Sequence, residues 1–480
     1  MKFNERNLYI QLIVLCSVMI WLITTKEVSE INKIKNLDRE SLANLEELVK
    51  EGREVFTLEN ENFSFENGDF YNINRYTYSE TISDKHTEKL RIMGNDITIR
   101  YINQETGEKI TTKDIKELYN TTLMISTDLE SYLVSVPATY DINTSYNTLL
   151  IKRDLEQPIT ITQNKEDGYY DLNYSFHQRE DIINEFWYMR SSENYYFFNT
   201  QNTLDDFLFH DLSQNIRWSL DGYYFPTPYN YVPGGEDRIY RHPSCLAGIS
   251  IARYGNTDFA KNLGTLMVKT NIANQNELGY WETGPISLWL REDFNIKNNF
   301  YDTRFNSDFV IALIELYNKT QDDDYIQAVY RYMDFYFDFA EKNSYYTENG
   351  GMYVGDYGGK GDYEKAHTSL NHFLVEMEVI IRLYLVTGNE YYADYARTMF
   401  QAIVDTKEDW ILEDGNLVYA FYYEKDTNFM IDYVYLTYND MFNMQNLLTK
   451  NFNTRSETLD YLMESKRDWL IRNNAHDYNK

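Results

Sequence analysis

Apolar positions follow three different patterns along this chain. Leu8 to Thr24 reads "LYIQLIVLCSVMIWLIT", an apolar run broken only by Gln11, Ser17 and Thr24. At 1.5 Å of helical rise per residue, about 17 residues reach the lower limit for crossing a bilayer. Lys2 and Arg6 precede the run, and no small-x-small cleavage site follows in "TKEVSE". Leu15 before Cys16 does not suit a lipoprotein signal. Residues 1–26 therefore read as an uncleaved signal anchor, a single transmembrane helix. Lys26, Lys33, Lys35 and Arg39 on its far side leave the basic count indecisive, and the body is read as extracytoplasmic. Over residues 27–55, Ile31, Ile34, Leu37, Leu42, Leu45 and Leu48 recur at helical spacing and predict a stalk.

From 56 to 215 the period changes to two. Short runs such as "DITIRYI" (96–102), "YLVSVPA" (132–138), "TLLIKR" (148–153) and "PITITQ" (158–163) alternate with turn formers. They predict a β-rich domain, with one helical insertion at "TKDIKELYNTT". From 216 to 480 long amphipathic helices take over. "ALIELYNKTQDDDYIQAVYRYMDFYFDF" (312–339) and "VIIRLYLVTGNEYYADYARTMFQAIV" (379–404) echo each other, and "GISIARYGNTDFAKNLGTLM" (248–267) is a looser copy. In the first two, a helix ends in Leu-Tyr, a polar turn follows, and acidic residues open a second helix. Helical hairpins that cannot bury their apolar faces alone must stack. Long aromatic loops between them favour closure into an (α/α) toroid over an open solenoid. The expected class is α+β and multidomain: membrane helix, stalk, β-rich domain, toroid.

Composition narrows the partners. Asp plus Glu number 75 against 45 Lys plus Arg, a net charge of −30, which disfavours a nucleic-acid partner. An anionic sugar stays compatible where a local basic pocket exists. The two cysteines, Cys16 and Cys245, are too far apart in the chain to suggest a disulfide framework. Taken with the anchor, this fits a bacterial cell-surface protein. Tyrosine is so abundant, at 45 residues, that no single one stands out by type.

Three segments carry a family resemblance. "HPSCLAGISIARYGNTDFAKNL" (242–263), "GYWETGP" (279–285) and "GGMYVGDYGG…AHTSLNHFL" occur in the order and spacing of the C-terminal domain of the D-glucuronyl C5-epimerase family. The resemblance spans about residues 220–450. It implies a β-rich region joined to a helical toroid, and inversion of C5 in a glucuronate residue of a polysaccharide with tyrosines as proton carriers. Tyr353 stands at the family's first loop tyrosine. The second falls on Lys365, with Tyr363 nearby, and Lys360 is the base nearest the family's arginine position.

Removing a proton α to a carboxylate needs a base, charge stabilisation and, for inversion, an acid on the opposite face. A tyrosine serves when a neighbouring cation lowers its pKa. Tyr353, Tyr363, His367 and Glu282 are the candidate catalytic residues. His367 and His372 are five apart, about 140° round a helix, so they cannot share a face. His367 and Asn371 do share one, leaving His372 to pack or to pair with Glu376. Neither histidine has metal-ligand spacing with a third residue, so no metal and no cofactor are expected. Arg238, Arg241 and Arg304 are the candidate carboxylate binders, because a guanidinium suits bidentate recognition. Tyr357, Asn371, Trp281 and Tyr224 complete the expected substrate site. "GYYFPTPYNYVPGG" (222–235) reads as a loop from its prolines and glycines.

The expected function is that of a membrane-anchored isomerase on an acidic polysaccharide, with a homodimer allowed. Three alternatives stay open: a lyase sharing the first proton transfer, a glycoside hydrolase on the same toroid, and a non-catalytic sugar-binding subunit of a surface polysaccharide system.

Overall fold

The computed structural model describes residues 56–103, 106–143, 145–193, 216–421 and 431–479. Leu58–Lys480 forms one compact unit, and Met1–Thr57 another. The expected anchor and stalk lie outside the described residues. No described helix is long and apolar enough to cross a membrane.

The β-rich region is antiparallel. Strand Ile182–Ser191 pairs with Phe70–Tyr78 on one side and with Ser131–Val134 and Ala138–Asp141 on the other. Strand Tyr169–Gln178 lies between Thr160–Asn164 and Ile82–Met93. Its side chains alternate strictly: Tyr170, Leu172, Tyr174 and Phe176 are buried while their neighbours are not. A pleated strand sends successive side chains to opposite faces, so one face makes the core. There Tyr174 stacks on Phe186 at 3.8 Å between ring centroids.

Two expectations change here. "TKDIKELYNTT" forms turns instead of a helix. Asp114 N–H donates to Thr112 Oγ1 and Lys116 N–H to Asp114 Oδ1, side-chain bonds that compete with a helical ladder. The strands also run past 215. Arg217–Ser219, Gly222–Pro226 and Arg238–Arg241 form one sheet that reaches back to Thr148–Leu150. Among the described residues the first α-helix begins at Leu246.

Four helical hairpins follow: α1 (Leu246–Tyr254) with α2 (Asp258–Ala273), then, after the short α3 (Leu288–Phe294), α4 (Thr303–Thr320) with α5 (Asp323–Asn343). The last two are α6 (Leu370–Thr387) with α7 (Glu390–Thr406) and α8 (Leu436–Phe452) with α9 (Glu457–Arg472). The turns share one design. Gln321, Gly388 and Asn453 take left-handed φ of 58°, 66° and 49° to end α4, α6 and α8. Thr257, Asp322, Asn389 and Ser456 then cap the second helices by accepting a backbone N–H. This pairs a C-terminal residue tolerant of positive φ with a polar N-cap.

The first helices of the hairpins pack in the order α1, α4, α6, α8. Side-chain bonds show that they run parallel. At their N-terminal ends Ser244 Oγ donates to Phe305 O at 2.8 Å, and Arg304 Nη1 reaches both Asn371 O at 3.2 Å and Asp440 Oδ2 at 2.6 Å. At their C-terminal ends Lys319 Nζ donates to Arg253 O at 3.0 Å, and Tyr384 lies against Phe452. Together the four line one axial cavity of about 650 Å³. The architecture is an (α/α) ring with an inner layer of four parallel helices. α6 is apolar nearly all round, as a helix enclosed by neighbours must be.

Candidate functional site

Parallel inner helices bring their preceding loops to one end of the ring. Tyr301–Asp302 precedes α4, His367 to Ser369 precede α6, and Asp432 to Tyr435 precede α8. Two-residue ladders tie these loops together: Tyr301–Asp302 pairs with Tyr357–Gly358, and Thr368–Ser369 with Ala420–Phe421. Side chains adjacent to helix starts thereby converge although they are far apart in sequence.

Asp302 is the N-cap of α4, its Oδ1 accepting from Phe305 N–H at 3.0 Å. Burial, reinforced by the charges of Asp356 and Asp308, pushes its carboxyl up to about 7 against the pull of the Phe305 N–H. Arg304, in the first turn of α4, holds Asp440 through both terminal nitrogens and Asp308 through Nε. Burial also pushes Asp440 up to about 7, although Arg304 acts in the opposite direction.

Tyr433 is an accessible phenol at this end. It is 52% exposed, and its ring lies 5.7 Å from that of Tyr419, which is 8% exposed. Burial of the hydroxyl and the charges of Asp302 and Asp432 raise its pKa, while a hydrogen bond with Tyr419 and the charge of Arg304 lower it. The backbone carrying Tyr433 is pinned by Lys466 of α9, whose buried ammonium donates to Asp432 Oδ2 at 2.7 Å, Asn416 Oδ1 at 2.6 Å and Tyr433 O at 2.8 Å. Beneath the mouth lie further titratable groups. His367 Nε2 is 3.3 Å from Asp356 Oδ2, and His367 stacks on Trp289 at 5.5 Å. His372 is neutral, since burial pushes its pKa down to about 4. Burial and Asp356 push Glu376 well above the carboxylate range. Together these groups bring an exposed phenol with its buried phenol partner, a buried carboxyl poised near neutrality and a guanidinium to one end of the inner helices.

The sequence-predicted residues divide sharply. Arg304 and His367 belong to this end, although His367 is sealed beneath it. Asn371 gives its backbone carbonyl to Arg304. Tyr353 is a core residue: its hydroxyl lies 2.7 Å from Thr406 Oγ1 and accepts from Trp410 Nε1 at 3.0 Å, under α7. Tyr357 is buried between Trp289, His367 and His372. Tyr363 is half-buried, accepts from Asn343 Nδ2, and lines a separate cavity of about 380 Å³ with Tyr280 and Phe335. Burial raises the pKa of all three phenols, opposite to the lowering that a tyrosine base needs.

The remaining expected residues make contacts of their own. Glu282 pairs with Lys360 at 2.7 Å and accepts from Asn276. Trp281 is buried and donates to Asn271 O at 2.6 Å, and Tyr224 is buried against Asp221, so neither offers a stacking face. Arg238 and Arg241 lie in the sheet before α1, Arg241 facing Asp221 at 3.4 Å. Two glycines of the 350–367 loop, Gly351 and Gly358, have a packing cause. A Cβ on Gly351 would meet Ala402 N at 2.3 Å, and one on Gly358 would meet Phe339 Cε2 at 2.4 Å.

Sequence reasoning missed Tyr419, Tyr433 and Asp440. The usable signal was positional: the residues just before each inner helix. "MIDYVYLTY" before α8 was not recognised because the fourth hairpin was not.

No protein-family model matches the chain, and no curated protein matches it. Among solved structures, it is similar to a family 76 glycoside hydrolase from a bovine Bacteroides thetaiotaomicron strain, at TM-score 0.39 and 12% identity over 87% of this chain and 77% of that one. A D-mannose isomerase matches at TM-score 0.39 and 14% identity over 57% and 72%. Cellobiose 2-epimerase from Bacillus thermoamylovorans matches at TM-score 0.35 and 16% identity over 48% and 60%. Likeness at this level assigns no activity to the chain.

Proposed function

We propose that the chain is a carbohydrate-modifying enzyme that works at the N-terminal mouth of its helical ring, with Tyr433, Tyr419 and Asp302 as its proton-transfer groups. The observation that carries this reading is the company of Tyr433. A half-exposed phenol is hydrogen-bonded to a second phenol, in the field of a carboxyl near 7 and of Arg304. Tyr433 stays protonated at neutral pH and acts as acid. Asp302 is partly ionised there and acts as base. Groups whose environments separate their protonation states suit opposite roles. Arg304 is itself paired with Asp308 and Asp440, and in this reading it adds only a positive field for the enolate-like anion that forms when C5 of a uronate loses its proton. The reaction is C5 epimerisation of an acidic saccharide. The resemblance of residues 220–450 to the glucuronyl C5-epimerases supports that choice, with the phenols moved from Tyr353 and Tyr363 to the mouth. Membrane attachment through residues 8–24, and action outside the cell, belong to the same proposal.

Incubation of the full chain with uronate-containing oligosaccharides in heavy water tests it. Deuterium enters C5 without loss of chain length, and Tyr433→Phe abolishes the exchange. A second reading draws on Asp302 and Asp356, two buried carboxyls that feel each other's charge. In that case the products carry new reducing ends and no deuterium at C5, as in two-carboxylate glycoside hydrolysis. Ultraviolet absorbance from a 4,5-double bond would mark a lyase.

A further inference from the structure

Below the mouth, three ligand-type side chains meet in a sealed space. His372 and Glu376 are four apart on α6 and so share one face, and Asp356 comes from the loop that packs on that face. One ligating atom from each lies within 4.8 Å of those of the other two, and all three side chains are buried. Their surroundings suit a cation. Glu376 Oε2 accepts from Tyr336 at 2.8 Å, but Oε1 is buried and makes no hydrogen bond of acceptable geometry. The Thr303 hydroxyl is near enough to favour the ionised form of Glu376, yet it lies 2.8 Å from His372 Nδ1. Asn371 Oδ1, one residue before His372, is also buried without a hydrogen bond. The nearest guanidinium, Arg304, is engaged by Asp308 and Asp440. Two carboxylates with no fixed cation in a dry site are expensive to ionise.

We propose that Asp356, His372 and Glu376 bind one divalent first-row transition ion of the Zn²⁺ or Mn²⁺ type. An imidazole nitrogen with two carboxylates selects such an ion over Ca²⁺ or Mg²⁺, which favour all-oxygen shells. Ser369 orients Asp356, with Ser369 N–H 3.0 Å from each carboxylate oxygen, and the Thr303 hydroxyl, 2.8 Å from His372 Nδ1, orients the imidazole. Because the trio is sealed from solvent, the ion is structural. It clamps the start of α6 to the 350–367 loop and to the start of α4, holding the floor under the mouth. This reverses the expectation from sequence spacing, which lacked a third ligand because Asp356 arrives through the fold.

The test uses the purified full chain after chelation and dialysis. Thermal unfolding is followed with added Zn²⁺, Mn²⁺, Ca²⁺ or Mg²⁺, alongside a Co²⁺ titration read by visible absorbance. The expected result is a Tm that climbs with the logarithm of Zn²⁺ or Mn²⁺ concentration, and a Co²⁺ band that saturates at one equivalent and is displaced by Zn²⁺. Glu376→Gln and His372→Gln abolish both responses. If either variant fails to fold, the one-equivalent Co²⁺ band in the wild-type chain still decides. The proposal is overturned by a wild-type chain with no saturable band and no Tm rise, or by variants that respond as the wild type does. The outcome is independent of the reading of the mouth, since Tyr433→Phe removes proton exchange there and leaves metal stoichiometry at one.

Discussion

Tyr353 and Tyr433 both stand in tyrosine-rich stretches that lead into an inner helix of the ring, yet Tyr353 is 1% exposed and Tyr433 is 52% exposed. The stretch around Tyr353 is the richer in glycine, acid and histidine, and it looked the better site. Gly351 and Gly358 stand where α7 and Phe339 approach the backbone closely, and Tyr353 and Tyr357 fill the core. The stretch around Tyr433 is plainer in sequence, but the ring places it beside Asp302 and Arg304 at an opening. A cluster of chemical residue types thus marks tight packing as readily as it marks a reaction centre. What separates the two is access to solvent.

The sharpest way to break this comparison is to delete one hydroxyl from each region. Tyr433→Phe should lower C5 proton exchange by roughly 10²–10⁴-fold, the usual worth of general acid–base catalysis, with little change in stability. Tyr353→Phe should do the reverse: exchange per folded molecule stays at the wild-type level while stability drops by about 1 kcal/mol, since the Thr406 and Trp410 partners lose their bond. Exchange rates and urea midpoints, measured on both variants, decide it. Loss of exchange in the Tyr353 variant alone would return the site to the 350–367 loop.

Lys466→Met probes what positions the mouth. It strands Asp432 in the core without its partner, a change that costs about 3–5 kcal/mol. Chemical unfolding should show that loss, and exchange should fall in the surviving folded fraction because Tyr433 is no longer pinned.

A smaller effect distinguishes the regions by pH. Asp302 and Asp440 have folded pKa values of about 7, above the ordinary 3.8. Between about pH 4 and pH 7 the folded chain therefore holds protons that the unfolded chain has released, so stability declines as pH rises through this window and levels off above it. Each carboxyl contributes about 1.4 kcal/mol for every unit by which its folded value exceeds the unfolded one. Asp302→Asn should flatten the profile while keeping the α4 cap, because asparagine caps as well as aspartate. Thermal melts across this pH range read it directly.

Gly351→Ala tests the packing origin of the loop composition. The added Cβ meets the α7 backbone, and overpacking of this kind costs about 1–3 kcal/mol. Unchanged stability would mean that the glycines serve some other purpose.

Local pattern by itself determined the order of textures along the described chain. The two-residue period of Tyr170, Leu172, Tyr174 and Phe176 specifies a half-buried strand, and the Leu-Tyr helix ends with their polar turns specify hairpins. These are properties of the backbone over a few residues, so they survive without the rest of the fold. Arg304 was found for the same reason, as an arginine at a helix start. Pairing of strands 217–241 with Thr148–Leu150, the fourth hairpin's place in the ring and the exposure of each tyrosine are not local properties. Only the tertiary structure decided that Asp302, Tyr419, Tyr433 and Asp440 lie at one end of the inner helices, and that Asp356 meets His372 and Glu376. Parallel inner helices gather residues more than a hundred positions apart, and burial then sets the charge that each can carry.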